Sequence, residues 1–493
     1  MIPTEKHGWW SQLRHSGLLI SPVMLEEVFP EGLVIPNDFA RQYLRENYNR
    51  FAALTADNSG QSNTLEPVLN LLDYIFNNFL KIEGKWLKSN QLDNSFVVST
   101  IFNENIKPHR IFYTKHSLET PFLTVFAENN KRVGIGKSRK TYGQILRYLR
   151  TKNIKLAIQS NGAQIRLIYA GIDNESWVEW ETAEWFESAE HLQKLCGFYT
   201  LLGKTGFESG NGYTIPLISA IDGSRNKQSE LSSVLGEQIR QAIELLVDDF
   251  SSSREKSPSI LQTIKSHPGG TEISDEDAQN AVLQASVRII MRIVVILFAE
   301  ARDLLPRSSE KYHLHYGIEG MFEILRTARS REPEEFLEEQ QSEWIKLLGL
   351  FRLICFGSSH PDLQIPKYGG QLFAPGNRES EDPVSRALAV FESPLMEVSN
   401  KTLLGVLDNL KYGKLKIKQG RTTSFIKGPV DFSELRTEYI GIIYEGILDY
   451  MLRSANETMV LLNIGLQPIL PLSVLETLNK KDLKDLFDKF SKA

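Results

Sequence analysis

With 493 residues, 41% of them hydrophobic and 24% charged, the chain has ample material for large cores and is expected to form two to four domains. A formal net charge of −5 excludes a uniformly basic nucleic-acid coat, although a global balance conceals local patches. The two cysteines, Cys196 and Cys355, stand too far apart in sequence for a metal-ligand pair and point to a reducing, cytoplasmic compartment.

The opening MIPTEKHGWWSQLRHSG lacks the basic-then-apolar pattern of a secretory signal, and neither an anchor nor a membrane partner is expected. Residues 1–60 form a helical and turn segment. Ser21 is placed to cap a helix over PVMLEEVF, with Pro22 at its first position. Asn37 or Asp38 starts a second helix, and the polar tract 55–63 is a loop. Trp9 and Trp10 are assigned to packing.

Residues 61–250 carry an α/β pattern. A helix over Thr64–Phe79 precedes strands at Phe96–Phe102 and Arg110–Thr114. Pro121–Ala127 is almost wholly apolar, as in the middle of a sheet covered on both faces. A helix over Ser138–Lys152 follows, then a strand at Lys155–Ser160, an Asn161-Gly162 turn and the hairpin partner Gln164–Ala170.

Charge is unevenly spread along this part. Between Lys131 and Ile172 stand ten Lys or Arg and no acid: Lys131, Arg132, Lys137, Arg139, Lys140, Arg147, Arg150, Lys152, Lys155 and Arg166. The block is an electrostatic footprint of the sort phosphates attract, against the plainer alternative of a helix face balanced by acids from elsewhere. The loop Val133–Lys137 (VGIGK) contains Gly-x-Gly without completing a Rossmann or P-loop signature. From Asp173 to Glu190 the sign reverses, with seven acids, no Lys or Arg, and Trp177, Trp180 and Trp185. An acidic surface with its tryptophans in the core is the simpler expectation; a cover over the basic helix, or a mimic of nucleic acid, is the sharper one.

Ser229–Phe250 is an amphipathic helix, and 251–273, rich in Ser, Pro and Gly, is the best candidate for a linker between domains. A mainly helical domain over 274–493 opens with Ser274 as cap and Asp277 three residues on. Its centre is Arg288–Pro306, RIIMRIVVILFAEARDLLP, with Ile289, Ile290, Ile293, Ile296 and Leu297 at helical spacing and Arg288 and Arg292 four apart. The uninterrupted apolar part, Ile293–Ala299, is too short to span a bilayer, so a core helix ending at Pro306 is expected. His313 and His315 are taken as surface histidines. Glu332–Glu343 is acidic, Trp344–Phe356 is an apolar helix and Tyr368-Gly369-Gly370 a turn. Tyr412–Lys427 alternates as a hairpin around Gln419-Gly420. Its Lys414, Lys416, Lys418 and Arg421 form a second set of candidate phosphate contacts. Helices over Ser433–Leu452 and Ser473–Lys492 close the chain. The fold class expected is α+β, an N-terminal α/β domain followed by a mainly helical one.

The order of strand pair, buried strand, helix and hairpin resembles a PD-(D/E)xK nuclease core. There an Asp ends one strand and a Glu-x-Lys follows on the next, the carboxylates holding a divalent metal such as Mg2+. Laid on that pattern, PFLTVFAE puts Phe126 where Glu belongs and Glu128 where Lys belongs, and no acid stands near His109. Glu128 with Lys131, and Glu66, are the remaining catalytic candidates, so a degenerate, non-cutting form is expected, with an active nuclease as the alternative. LFAEARDLLP (Leu297–Pro306) resembles the signature ahead of the catalytic domain in large adenine-specific DNA methyltransferases of the type IIG, BREX and DISARM kind. KYGGQLF (Lys367–Phe373) and YIGIIYEGILDYML (Tyr439–Leu452) are similar to two further motifs of that family, in the same order. The resemblance implies the front portion of such an enzyme. No Pro-Pro occurs anywhere, so the (N/D)PP(Y/F) motif over a flipped adenine is absent, and S-adenosylmethionine is expected only in a missing catalytic domain. Implied partners are double-stranded DNA, a methyltransferase domain or subunit, and helicase components of a defence system. A protein–protein adaptor is the third possibility.

Overall fold

Seven strands form one mixed sheet: β1 (Arg14–Ser16), β2 (Gly84–Lys88), β3 (Arg110–Thr114), β4 (Leu123–Ala127), β5 (Leu156–Ser160), β6 (Gln164–Ala170) and β7 (Glu175–Glu181), in the order β1-β7-β6-β5-β4-β3-β2. The computed structural model describes residues 8–56, 64–99, 104–115, 120–171, 175–208, 215–226, 228–256, 259–266, 270, 272–307, 309–394, 396, 398–419, 422–430, 432, 441, 457–462, 469–479 and 481–484. Only β4 and β5 run parallel, with Leu123 opposite Leu156 and Ala127 opposite Ser160. A parallel pair cannot be closed by a tight turn, and helix α1 (Ser138–Lys152) supplies the crossover. The other neighbours are antiparallel, β5 and β6 through the expected Asn161-Gly162 turn.

Strand alternation puts Leu123, Val125 and Ala127 of β4 on one face, in a core with Trp9, Trp10 and Phe198. Phe126 points to the other, where its ring meets Tyr148 of α1 at 5.5 Å. The sheet is therefore covered on both sides, which is why β4 is so apolar. Trp9 and Trp10 do pack, but residues 8–16 are no separate segment, because β1 pairs with β7 at the sheet's edge. Ser21 Oγ accepts from the Met24 N–H and Asn37 Oδ1 from the Ala40 N–H, as capping residues do. Of the strand expected at Phe96–Phe102, Phe96 ends a short 3-10 turn that begins at Asn94, and Val98–Ser99 pair with Asn105–Ile106; residues 100–102 lie outside the described residues. β2 and β7, both unanticipated, complete the sheet.

A second core gathers α2 (Gln228–Lys256), α3 (Asp275–Ala301), α4 (Ile318–Arg331), α5 (Ser342–Phe356), α6 (Pro383–Phe391) and α7 (Asn400–Lys411). Composition placed the break at 251, yet Ile239, Ile243, Leu246 and Phe250 of α2 already pack in this second core. The expected linker contains the end of α2 and a helix, Ser259–Lys265, whose Ile260, Leu261 and Ile264 are buried there too. Serine and proline mark a boundary only where no apolar residue is placed to be buried.

The Ser274 cap holds, with Oγ accepting from the Asp277 N–H at 3.1 Å. The most apolar window of α3 has mean hydropathy 2.1, and 78% of it is buried inside the protein, so α3 is a core helix. It ends at Ala301, before Pro306, because Asp303 turns left-handed (φ 55°) and Leu304 N donates to Ala299 O at 2.8 Å. His313 is 3% exposed, which corrects the surface assignment; His315 is exposed. Strands β8 (Tyr412–Gln419) and β9 (Thr422–Pro429) pair as the expected hairpin. The turn at 420–421 with Arg421, the side chains of Lys414, Lys416 and Lys418, the helix at Ser433–Leu452 with its motif, and residues 480 and 485–492 lie outside the described residues; the helix expected at Ser473–Lys492 is interrupted, since Leu472–Thr477 is helical and Leu478 is extended.

Candidate functional site

Glu128 follows β4 directly and its N–H donates to Ser160 O of β5 at 2.9 Å, so the strand ladder fixes its backbone. Its carboxylate is 6% exposed and accepts hydrogen bonds from Ser138 Oγ, from Gln159 Nε2 at 3.1 Å and from Asn130 Nδ2 at 2.9 Å. Burial pushes its carboxyl up, against the pull of those donors. Lys131 and Glu66 are exposed, and no hydrogen bond or ion pair among the described residues joins either of them to Glu128. At the start of β3, Asp73 is committed to Arg110 at 2.6 and 2.9 Å and to Trp86 Nε1 at 2.9 Å. Burial holds the His109 imidazolium down, and its Nδ1 accepts from the Ala127 N–H at 3.1 Å. Among the described residues no group of three or more His, Cys, Asp or Glu is placed to hold a metal ion. A divalent cation needs several oxygen ligands; one carboxylate wrapped in neutral donors does not fit it.

The basic block is distributed by the fold rather than gathered. Arg166 on β6 is fully buried against Glu179 of β7 at 2.7 Å. Arg132 reaches Glu323 on α4, and Arg139 reaches Asp303 beyond α3. Lys140 pairs with Glu104, Arg150 with Glu175 at 3.1 Å, and Lys155 with Asp222 at 3.3 Å. Lys152 Nζ donates to Ser95 O at 2.6 Å. Lys131, Lys137 and Arg147 are exposed. Lys137, Lys140, Gln144 and Arg147 follow one another at three- and four-residue spacing, so they form one row on the outer side of α1, opposite the buried Tyr142, Ile145 and Leu149.

The acidic tryptophan segment forms β7 and a 3-10 turn at Glu184–Phe186; its three tryptophans are buried, as expected, but its acids are not all on the surface. Trp177 packs on the α1 side and Trp180 on the other, while Glu179 is 2% exposed between Arg166 and Arg14. This network escapes a reading of the sequence: Arg14 lies 165 residues from Glu179, and nothing local marks their pairing. At the last position of β7, Glu181 accepts from Gln164 Nε2 at 2.6 Å. Burial first, then Glu179, push its carboxyl from 4.5 up to about 7. A raised folded-state value means stability that is full below the unfolded value and is lost as pH rises through the folded one. Glu181→Gln, which keeps the acceptor for Gln164, should therefore flatten the decline in melting temperature between pH 4.5 and about 7 and leave the acid side unchanged. Melting curves across that range check it; a parallel offset at every pH would contradict it.

No protein-family model matches the chain, and no curated protein matches it. Among solved structures it is similar to one described as a cryoEM structure of a DrdV–DNA complex, at 11% identity and a TM-score of 0.23. The match covers 62% of this chain and 26% of that one, and so distant a likeness carries no argument about function.

Proposed function

We propose that the chain is a non-catalytic, DNA-associating module in which α1 presents cations to the phosphate backbone. The observation that carries this is the outward row Lys137, Lys140 and Arg147, with exposed Lys131 in the loop before it. Lys140 is 67% exposed, and an ion pair so open to water contributes little, so Glu104 does not withhold it from a phosphate. Contacts of this kind supply affinity without reading sequence.

The β3–β4–α1–β5–β6 order supports a degenerate nuclease-like domain, with Glu128 retained as a structural carboxyl. The helical part fits the connector of an N6-adenine methyltransferase from a restriction or phage-defence system. Two of the motifs behind that resemblance meet there, since Tyr368 Oη donates to Leu304 O at 2.6 Å, and Arg292, which precedes the first motif on the same helix, donates through Nε to Leu372 O at 2.6 Å. S-adenosylmethionine and the methyl-transfer chemistry would belong to a partner domain or subunit.

A duplex titration by fluorescence anisotropy between roughly 50 and 200 mM salt tests the module, since each neutralised phosphate adds about −0.9 to the slope of log K against log salt. Four contacts predict a slope of about −3 to −4, and Lys137→Gln/Lys140→Gln/Arg147→Gln should make it shallower by about 3. A flat response removes DNA association and favours the adaptor. That second function has its own support: Glu175 of β7 already takes Arg150 and the Tyr142 hydroxyl, so acids of the same sheet neutralise part of the block.

A further inference from the structure

The Gly-x-Gly loop at 133–137, which DNA association leaves unused, opens onto a cavity of about 40 Å³ between the sheet and the helical part. Four guanidinium groups line it, those of Arg14, Arg139, Arg166 and Arg307. Gly134 is left-handed (φ 72°), and a Cβ there would collide with the Arg166 guanidinium, so the glycine is what lets that arginine reach the cavity wall. The carboxylates that hold these arginines are shared. Asp303 serves both Arg139 and Arg307, and Glu179 serves both Arg14 and Arg166. Glu323, the second partner of Arg14, also takes Arg132, and Glu319, which faces the cavity, takes Lys411. In these ion pairs six cations share four carboxylates, with Glu181 and Glu300 also within electrostatic reach of Arg14, Arg132 and Arg307.

His15 adds selectivity. It lines the same cavity, its Nε2 lies 2.7 Å from Trp10 O, and its buried Nδ1 has no hydrogen-bond partner. Burial pushes its imidazolium down to about 4, so the ring is neutral at pH 7. A carbonyl can only accept, so Nε2 carries the proton and Nδ1 offers a lone pair. The cavity wall therefore combines guanidinium donors with two acceptors, the His15 Nδ1 lone pair and the Glu319 carboxylate.

We propose that this junction binds a phosphate group that still carries a proton, either inorganic hydrogenphosphate or a phosphomonoester as its monoanion, the minor form at pH 7, its oxygens taken by the arginines and its hydroxyl donated to His15 Nδ1. Guanidinium forks match phosphate oxygens geometrically. Sulfate, deprotonated at neutral pH, lacks the hydroxyl, and so does the phosphodiester of a nucleic-acid backbone. The site is distinct from the outward row on α1 and does not depend on DNA association. Because its walls come from both the sheet and the helical part, the bound group would lock the two together.

The test is the thermal midpoint of the full chain titrated with inorganic phosphate, with sodium sulfate and with glycerol 3-phosphate, each at ionic strength matched by chloride. Phosphate should raise the midpoint saturably, because it binds the folded form alone, and sulfate should do so with roughly tenfold weaker apparent affinity or not at all. Stronger binding of glycerol 3-phosphate identifies a monoester as the ligand; stronger binding of inorganic phosphate identifies the free ion. Arg307→Gln and Arg139→Gln, whose side chains are 23% and 26% exposed, should each weaken apparent phosphate affinity roughly tenfold. Arg45→Gln, on an exposed helix face, should leave it unchanged. Equal effects of sulfate and phosphate, or an unchanged phosphate response in both cavity variants, would overturn the proposal.

Discussion

Glu179→Ala should lower the stability of the protein by about 3–5 kcal/mol, the cost of leaving a buried charge without its partner. Glu179 sits on β7 with no exposed side-chain surface and takes Arg166 Nε at 2.8 Å and Nη2 at 2.7 Å. It also takes Arg14 from the edge strand β1. Arg166 is stacked 3.7 Å from the Trp177 ring centroid with its side chain 2% exposed, so it is left buried without a counter-charge once the carboxylate is gone. Arg14 retains Glu323, which makes Arg166 the group that suffers. Replacing both partners by apolar residues, Arg166→Met with Glu179→Leu, should cost less than Glu179→Ala alone, because no charge is then stranded. Urea unfolding checks both, read as the shift of the midpoint at constant slope. A loss below about 1 kcal/mol for Glu179→Ala would show that the pair is not desolvated as described.

Arg292→Met should cost a similar amount, about 3–5 kcal/mol, for a different reason. Arg292 belongs to the apolar run of α3 and is completely buried. Its guanidinium donates to Leu372 O and Ala374 O at 2.6 Å each, and to Glu392 at 2.8 Å. Methionine fills the space of the stem but leaves two carbonyls unpaired and the Glu392 carboxylate without its cation, held by the Gly376 N–H at 3.2 Å. Lysine carries the charge yet cannot present a planar fork to three acceptors in different directions, so Arg292→Lys should recover only part of the loss. The segment that Arg292 ties down follows Gly369 and Gly370, both left-handed (φ 64° and 80°), where an added Cβ would meet nothing within 4 Å. Limited proteolysis should therefore cut Arg292→Met near 368–374 faster than the parent chain. An unchanged cleavage rate with unchanged stability would refute the assignment of Arg292 as the anchor of that turn.

Asp303 shows how a local rule and a distant partner compete. Its left-handed backbone is the place where a helix end favours glycine. An aspartate there accepts strain on the order of 1 kcal/mol, and its carboxylate holds Arg139 and Arg307. The helix stop could be anticipated from DLLP; the reason for a charged residue at the stop could not.

Local and periodic features were legible in the amino-acid order: the caps at Ser21 and Ser274, the apolar β4, the amphipathic α1, the turn at Asn161-Gly162, the β8–β9 hairpin and the buried α3. Each depends on residues within a few positions of one another, where backbone preference and hydrophobic period act directly. Of the candidate site, the presence of cations and the departures from a metal-holding pattern at Phe126 and Glu128 were legible as well. What those cations do was not. Arg132 finds Glu323 from 191 residues away and Arg139 finds Asp303 from 164, so a block that looks uniformly basic in sequence is largely matched in space. The same blindness hid β7, whose acids look solvated until Arg14 and Arg166 are placed beside them, and His313, which looks exposed until α4 covers it. Sequence by itself determined the segments whose burial follows a short period, such as α1, α3 and β4, and which of their faces had to be buried; β2, β7 and the helix at Ser259–Lys265 carried no such period and were found only in the fold. Only the tertiary structure decided which charges remain available to a partner, because a Coulomb interaction depends on distance in space and on local desolvation, and neither is written in the spacing along the chain.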